Sequence, residues 1–131
     1  MQRRDYITIK KIIKEMNIGI SLLGAMEIEA FLEDEMAKRA LSMTCINVGE
    51  LVKVITDDTR NCYRDFPWKA VAGMRDVTAH RYQTLRMEDV YNTVHEEYPE
   101  LVKKLCNIID EVDNQEAESE WARRGTVKKD L

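Results

Sequence analysis

The sequence predicts an all-α fold, an antiparallel helical bundle, on three observations. Only five glycines and two prolines punctuate 131 residues, too few for a turn-rich β architecture. Hydrophobic residues make up 44% of the chain and charged residues 34%, and the apolar ones recur at spacings of three and four. A chain of this length can bury one core without metals or cross-links, so one domain is expected. We assign the bundle to residues 1–112 and an acidic C-terminal extension, partly helical or disordered, to residues 113–131.

Taken in order, Tyr6, Ile9, Ile13, Met16 and Ile20 form one apolar stripe and predict a helix over about residues 3–20. Gly19, Ser21 and Gly24 weaken it, and residues 26–32 read as a short irregular or helical connector. Leu41, Cys45, Val48, Val52 and Ile55 predict a long helix over about residues 34–56, ended by Thr56-Asp57-Asp58. Gly49 costs that helix about 1 kcal/mol relative to Ala; a close helix crossing there would explain it. Residues 57–67 are polar, and Pro67 opens a helix with Val71, Met74 and Thr78 facing inward. Tyr82 to Met87 form a loop, and Glu88 and Asp89 suit the positive start of another helix. Val90, Val94 and Tyr98 form its stripe. Pro99 should break or kink it before Leu101, Leu105, Ile108 and Val112 resume. Beyond Asp113 little is apolar except Trp121, the one residue that argues for docking of the tail, and Gly125 to Leu131 should fray.

Several function classes lose support. Cys45, Cys62 and Cys106 are an odd number at wide spacing, as expected of free thiols in a reducing cytoplasm. No apolar run approaches the roughly 18 residues of a membrane span, and a cytoplasmic location is expected. No metal signature, cofactor motif or glycine-rich phosphate loop is present. Seven acidic residues from Asp110 onward outweigh Arg123, Arg124, Lys128 and Lys129, so most of the formal charge of -4 lies in the tail. The bundle is nearly neutral, which neither advertises nor excludes RNA.

Chemistry concentrates in Arg75-Asp76-Val77-Thr78-Ala79-His80-Arg81-Tyr82. On an ideal helix Arg75 and His80 lie about 140° apart and roughly 7.5 Å along the axis. A site using both therefore calls for a distorted helix end or a second copy of the helix across a two-fold axis. Asp76 and His80, four apart, are neighbours, so the carboxylate could orient the imidazole. Arg75 and Tyr82 would align if the helix ran that far. Such a set suits metal-free RNA cleavage, His80 moving the proton and Arg75 meeting the charge on phosphorus. On spacing alone the ordinary role, a solvated pair worth a few tenths of a kcal/mol, is the commoner one. Arg81 and Arg86 are candidate phosphate contacts. His95 reads as structural, and Tyr63, Trp68 and Trp121 read as core or docking anchors rather than base-stacking platforms.

The runs INVGELVKVI, PWKAVAGMRDVTAHRY and VYNTVHEEYPELVKKL resemble the HepT family of HEPN-domain toxins over about residues 4–110. The most specific part is Arg-x-x-x-x-His-x-Tyr at Arg75, His80 and Tyr82. The resemblance implies a homodimer with its motif helices at the interface, free to associate further. It also implies a metal-independent endoribonuclease site made of Arg75 and His80, with Asp76 supporting. Many relatives carry Asn where this chain has Asp76. The family also implies a toxin of type II or type VII-like systems, acting on tRNA or mRNA without a cofactor. Its partner would be a minimal nucleotidyltransferase antitoxin resembling MntA, which transfers AMP to the tyrosine matching Tyr82. The competing expectation is a non-catalytic helical dimer that binds and regulates such a nucleotidyltransferase.

Overall fold

The computed structural model describes residues 1–130, with side chains described through Arg124. Seven α-helices are assigned among the described residues: α1 (Arg3–Leu23), α2 (Ile28–Leu32), α3 (Glu35–Lys53), α4 (Asp57–Cys62), α5 (Trp68–His80), α6 (Met87–Asn92) and α7 (Tyr98–Asp130). A π-helical segment, Thr93–Glu97, joins α6 to α7. No strand occurs among the described residues, so the all-α expectation holds.

Helix α3 is the centre of the bundle, packed between α5 and α1, while α1 also packs on α7. Arg4 reaches the Val54 carbonyl and Asn47 reaches Glu15, so α1 and α3 run antiparallel. The predicted stripe of Leu41, Cys45, Val48, Val52 and Ile55 is buried throughout, although α3 ends at Lys53 and Ile55 lies just beyond it. On α1 the buried line is Ile9, Ile12, Met16 and Leu23, with Tyr6, Ile13 and Ile20 at its margin. That helix runs three residues further than expected and stops at Gly24, whose φ of 54° glycine adopts without steric cost. Cys45, Cys62 and Cys106 are free thiols, and burial pushes the Cys45 thiol up to about 11.

Three expectations are revised. Residues 57–67 contain α4, started by Thr56, whose hydroxyl accepts from the Thr59 N–H, with Asp57 and Asp58 in the favoured first turn. Beneath it Asp5 is fully buried and takes hydrogen bonds from the Thr56 and Thr59 hydroxyls at 2.5 and 2.6 Å. Pro99 does not break the helix. It has no N–H to donate back and its ring crowds the preceding turn, and the wider π turn at Thr93–Glu97 lies where that strain falls. Val112 is the last buried residue of α7; from Asp113 to Arg124 every side chain is exposed on one continuing helix. Trp121 is 77% exposed and does not dock on the bundle. The expected fraying of Gly125 to Leu131 lies outside the described residues.

Candidate active site at the end of α5

Pro67 and Trp68 set the start of α5. Pro67 occupies the cap, where a missing N–H costs nothing, and Trp68 is buried against Phe66 with its indole N–H donating to the Tyr63 carbonyl at 3.0 Å. Val71 and Thr78 then face the core, Thr78 donating to the Met74 carbonyl at 2.7 Å. This anchoring fixes the rotation of the helix. It turns His80, the last helical residue, to solvent and brings Arg75 against α3.

The contact with α3 is close because of Gly49. A Cβ at that position would lie 2.1 Å from the Arg75 Cβ, so the two helices cross there only with a glycine in α3. The close crossing expected at Gly49 is therefore present. It brings two further α3 side chains to the motif, neither of which the sequence reading selected. Glu50 forms an ion pair with Arg75 through Nε, and Lys53 donates to Asp76 at 2.5 Å. Their positions one turn apart beside Gly49 were the only signal in the sequence.

Arg75 Nη1 lies 3.4 Å from His80 Nε2 within one chain. The expectation that the pair needs a distorted helix or a second copy is thus corrected. The 140° argument applies to Cα directions, whereas an arginine side chain is long enough to sweep along its helix to the open C-terminal end. Guanidinium only donates, so this contact is a hydrogen bond in the form of the ring whose Nε2 carries no proton. Arg75 Nη1 also donates to Asp76 Oδ1 at 3.2 Å.

Asp76 does not orient His80. Its bonds go to Lys53 and Arg75, both of which offer charge-assisted partners. The Lys53 hydrogen bond, followed by that from Arg75, holds the Asp76 carboxyl below the usual range despite partial desolvation. Tyr82 does not align with Arg75 either, since α5 ends at His80 and Arg81 has left helical geometry. Tyr82 lies half-buried in the loop after α5, where the Arg39 guanidinium of α3 sits 5.8 Å from its ring centre. Arg81 is exposed beside it, and Arg86 is exposed with Glu88 at 3.6 Å. His95 stacks on Tyr91 with ring centres 5.1 Å apart.

The arrangement offers a proton-transfer group beside a fixed cation on an exposed helix end. Among the described residues no three His, Cys, Asp or Glu side chains gather as metal ligands, and no helix is long and apolar enough to cross a membrane.

The chain is similar to several known proteins. The chain is 32% identical over 120 residues to "Putative RNase MJ1216" of Methanocaldococcus jannaschii, covering 91% of this chain and 99% of that protein. It is 30% identical over 101 residues to "Putative RNase TTE0752" of Caldanaerobacter subterraneus, covering 77% and 90%. It is 32% identical over 77 residues to "Probable ribonuclease HepT" of Thermococcus cleftensis, covering 59% and 70%. No solved structure matches the chain at a significant level. Residues 8–108, the span that holds the whole Arg75–His80 constellation and the helices that position it, match the family described as Ribonuclease HepT-like, and the chain belongs to that family.

Proposed function

We propose that this protein is a metal-independent endoribonuclease, the toxin of a toxin-antitoxin pair, with Arg75 and His80 as its catalytic residues. The observation that carries the reading is the 3.4 Å approach of Arg75 Nη1 to His80 Nε2 at the solvent-facing end of α5. His80 takes the proton from an RNA 2′-hydroxyl, or gives one to the leaving 5′ oxygen, a role worth about 10²- to 10⁴-fold in rate. Arg75 meets the charge that grows on the phosphorane oxygens. The attacking 2′ oxygen closes on phosphorus as the 5′ oxygen leaves, giving a 2′,3′-cyclic phosphate. DNA, lacking that hydroxyl, is not cut. Asp76, with Lys53, holds Arg75 in place, and the exposed Arg81 and Arg86 are available to the RNA backbone.

The active form is a homodimer that pairs two α5 helices, built from residues 1–112, with residues 113–131 outside the catalytic unit. Ala70, Gly73, Val77 and His80 fall within about an 80° arc of α5. Ala70, Val77 and His80 are exposed, and a Cβ added at Gly73 would meet nothing within 4 Å. Such a small-residue strip would let two helices approach closely and bring both His80 rings to one RNA groove.

Regulation is by transfer of AMP from ATP to the Tyr82 hydroxyl, with release of pyrophosphate, catalysed by a nucleotidyltransferase antitoxin. The half-exposed phenol is reachable, and an adenylyl group there adds bulk and about one negative charge beside the RNA-binding end of α5. The test has two arms. Purified protein in EDTA should cleave RNA to cyclic-phosphate ends, and expression without its partner should arrest growth. Harmless expression together with intact RNA would instead support a non-catalytic dimer that binds the nucleotidyltransferase.

A further inference from the structure

The guanidinium of Arg75 can be accounted for donor by donor. Nε is shielded from solvent and has no partner in hydrogen-bond geometry; the Glu50 carboxylate of α3 meets it as an ion pair. Nη1 faces Asp76 at 3.2 Å and His80 at 3.4 Å. Among the described residues Nη2 has no protein partner, although the Arg75 side chain is still 23% exposed. Glu50 in turn has no other ion-pair partner among those residues, and its side chain is 52% exposed. One helical turn further on, Lys53 pairs with Asp76, so α3 grips α5 through two ion pairs of opposite polarity on either side of the Arg75–Asp76 peptide.

An arginine side chain has several soft torsions, and a carboxylate next to it in sequence is the nearest place for its guanidinium to collapse. Asp76 is that carboxylate here. Arg75 Nη1 already bonds Asp76 at 3.2 Å; the Glu50 carboxylate on another helix, paired with Nε, is a second attraction that keeps the rest of the guanidinium from following. Gly49 lets α5 come close enough for Glu50 to do this.

Building on the ribonuclease reading, we propose that Glu50 is a positioning residue for the reaction. It holds Arg75 with Nη1 toward His80 and Nη2 directed to the scissile phosphate. Glu50 does not touch RNA. Its effect passes through the orientation of Arg75, and a misplacement of about 1 Å in such a group costs about 100-fold in rate.

The experiment compares the wild type, Glu50→Gln, Glu50→Asp and His80→Ala, all as full chains. Single-turnover cleavage of RNA in EDTA is measured alongside binding of an uncleavable 2′-O-methyl RNA and the NMR signal of the Arg75 Nε–H. Glu50→Gln should cleave roughly 10- to 100-fold more slowly while binding the methylated RNA as well as the wild type. Its Arg75 Nε–H signal, protected in the wild type, should broaden or exchange away. Glu50→Asp, which keeps the charge, should recover part of both the rate and the signal. Wild-type cleavage by Glu50→Gln, or slow cleavage with an unchanged Arg75 signal, would overturn the assignment of Glu50 while His80→Ala still reports on the catalytic pair. If the wild type itself leaves RNA intact, the ribonuclease reading fails and the role of Glu50 fails with it.

Discussion

Arg75 of α5 and Gly49 of α3 occupy the same point of the bundle: the Arg75 Cβ fills the space where a side chain at position 49 would begin, 2.1 Å from its hypothetical Cβ. The placement of the Arg75 guanidinium is therefore a packing property of two helices as much as a property of the motif. Gly49→Ala should destabilise the fold by about 1–3 kcal/mol through overpacking, read as a lower denaturation midpoint at unchanged slope. Cleavage should fall more than the folded fraction explains, since Arg75 must move.

Gly73 provides the contrast within the same site. A side chain there meets nothing in its own chain, and glycine in a helix interior is about 1 kcal/mol worse than alanine. Gly73→Leu should leave the folded chain at least as stable, but shift a dimer toward monomer in sedimentation or light scattering. An unchanged dimer would move the two-fold axis away from the Ala70, Gly73, Val77 and His80 strip.

Asp5 gives a prediction about pH. Burial alone would raise its carboxyl, but hydrogen bonds from the Thr56 and Thr59 hydroxyls and the Thr56 N–H outweigh burial and hold it below the usual range. A folded-state value below the unfolded one contributes stability that is full above the unfolded carboxylate range and is lost as pH falls through the folded value. Asp5→Ala should cost about 1–3 kcal/mol near neutrality, because the buried Thr59 hydroxyl loses its acceptor. The difference from the wild type, followed by urea melts, should shrink as the pH is lowered below about 4.

Tyr82 is open to a direct check. Co-expression with a cognate nucleotidyltransferase should add one or more AMP units to the intact mass, and Tyr82→Phe should abolish the first addition. AMP found only on other residues would leave Tyr82 as a packing partner of Arg39.

Much of this architecture was legible in the residues. The stripe from Leu41 to Ile55, the start of α5 at Pro67 and the reason for Gly49 follow from periodicity and local chemistry. What escaped was long-range. The role of Asp76 could not be read from its spacing to His80, because its carboxylate pairs with a lysine on another helix. Glu50 escaped for the same reason: nothing local distinguishes it from any other solvated acid on α3. Helix α4 was missed because its stability comes from the Thr56 cap and from Asp5, some fifty residues away, rather than from an apolar stripe.

The claim at the centre of this account is that Arg75 and His80 cut RNA together without a metal. The most direct measurement is the single-turnover cleavage rate of one defined RNA in EDTA by the wild type, Arg75→Ala and His80→Ala at matched folded concentration. The account predicts that the wild type yields 2′,3′-cyclic phosphate ends and that each variant is slower by about 100-fold or more. His80→Ala cleaving as fast as the wild type would contradict it.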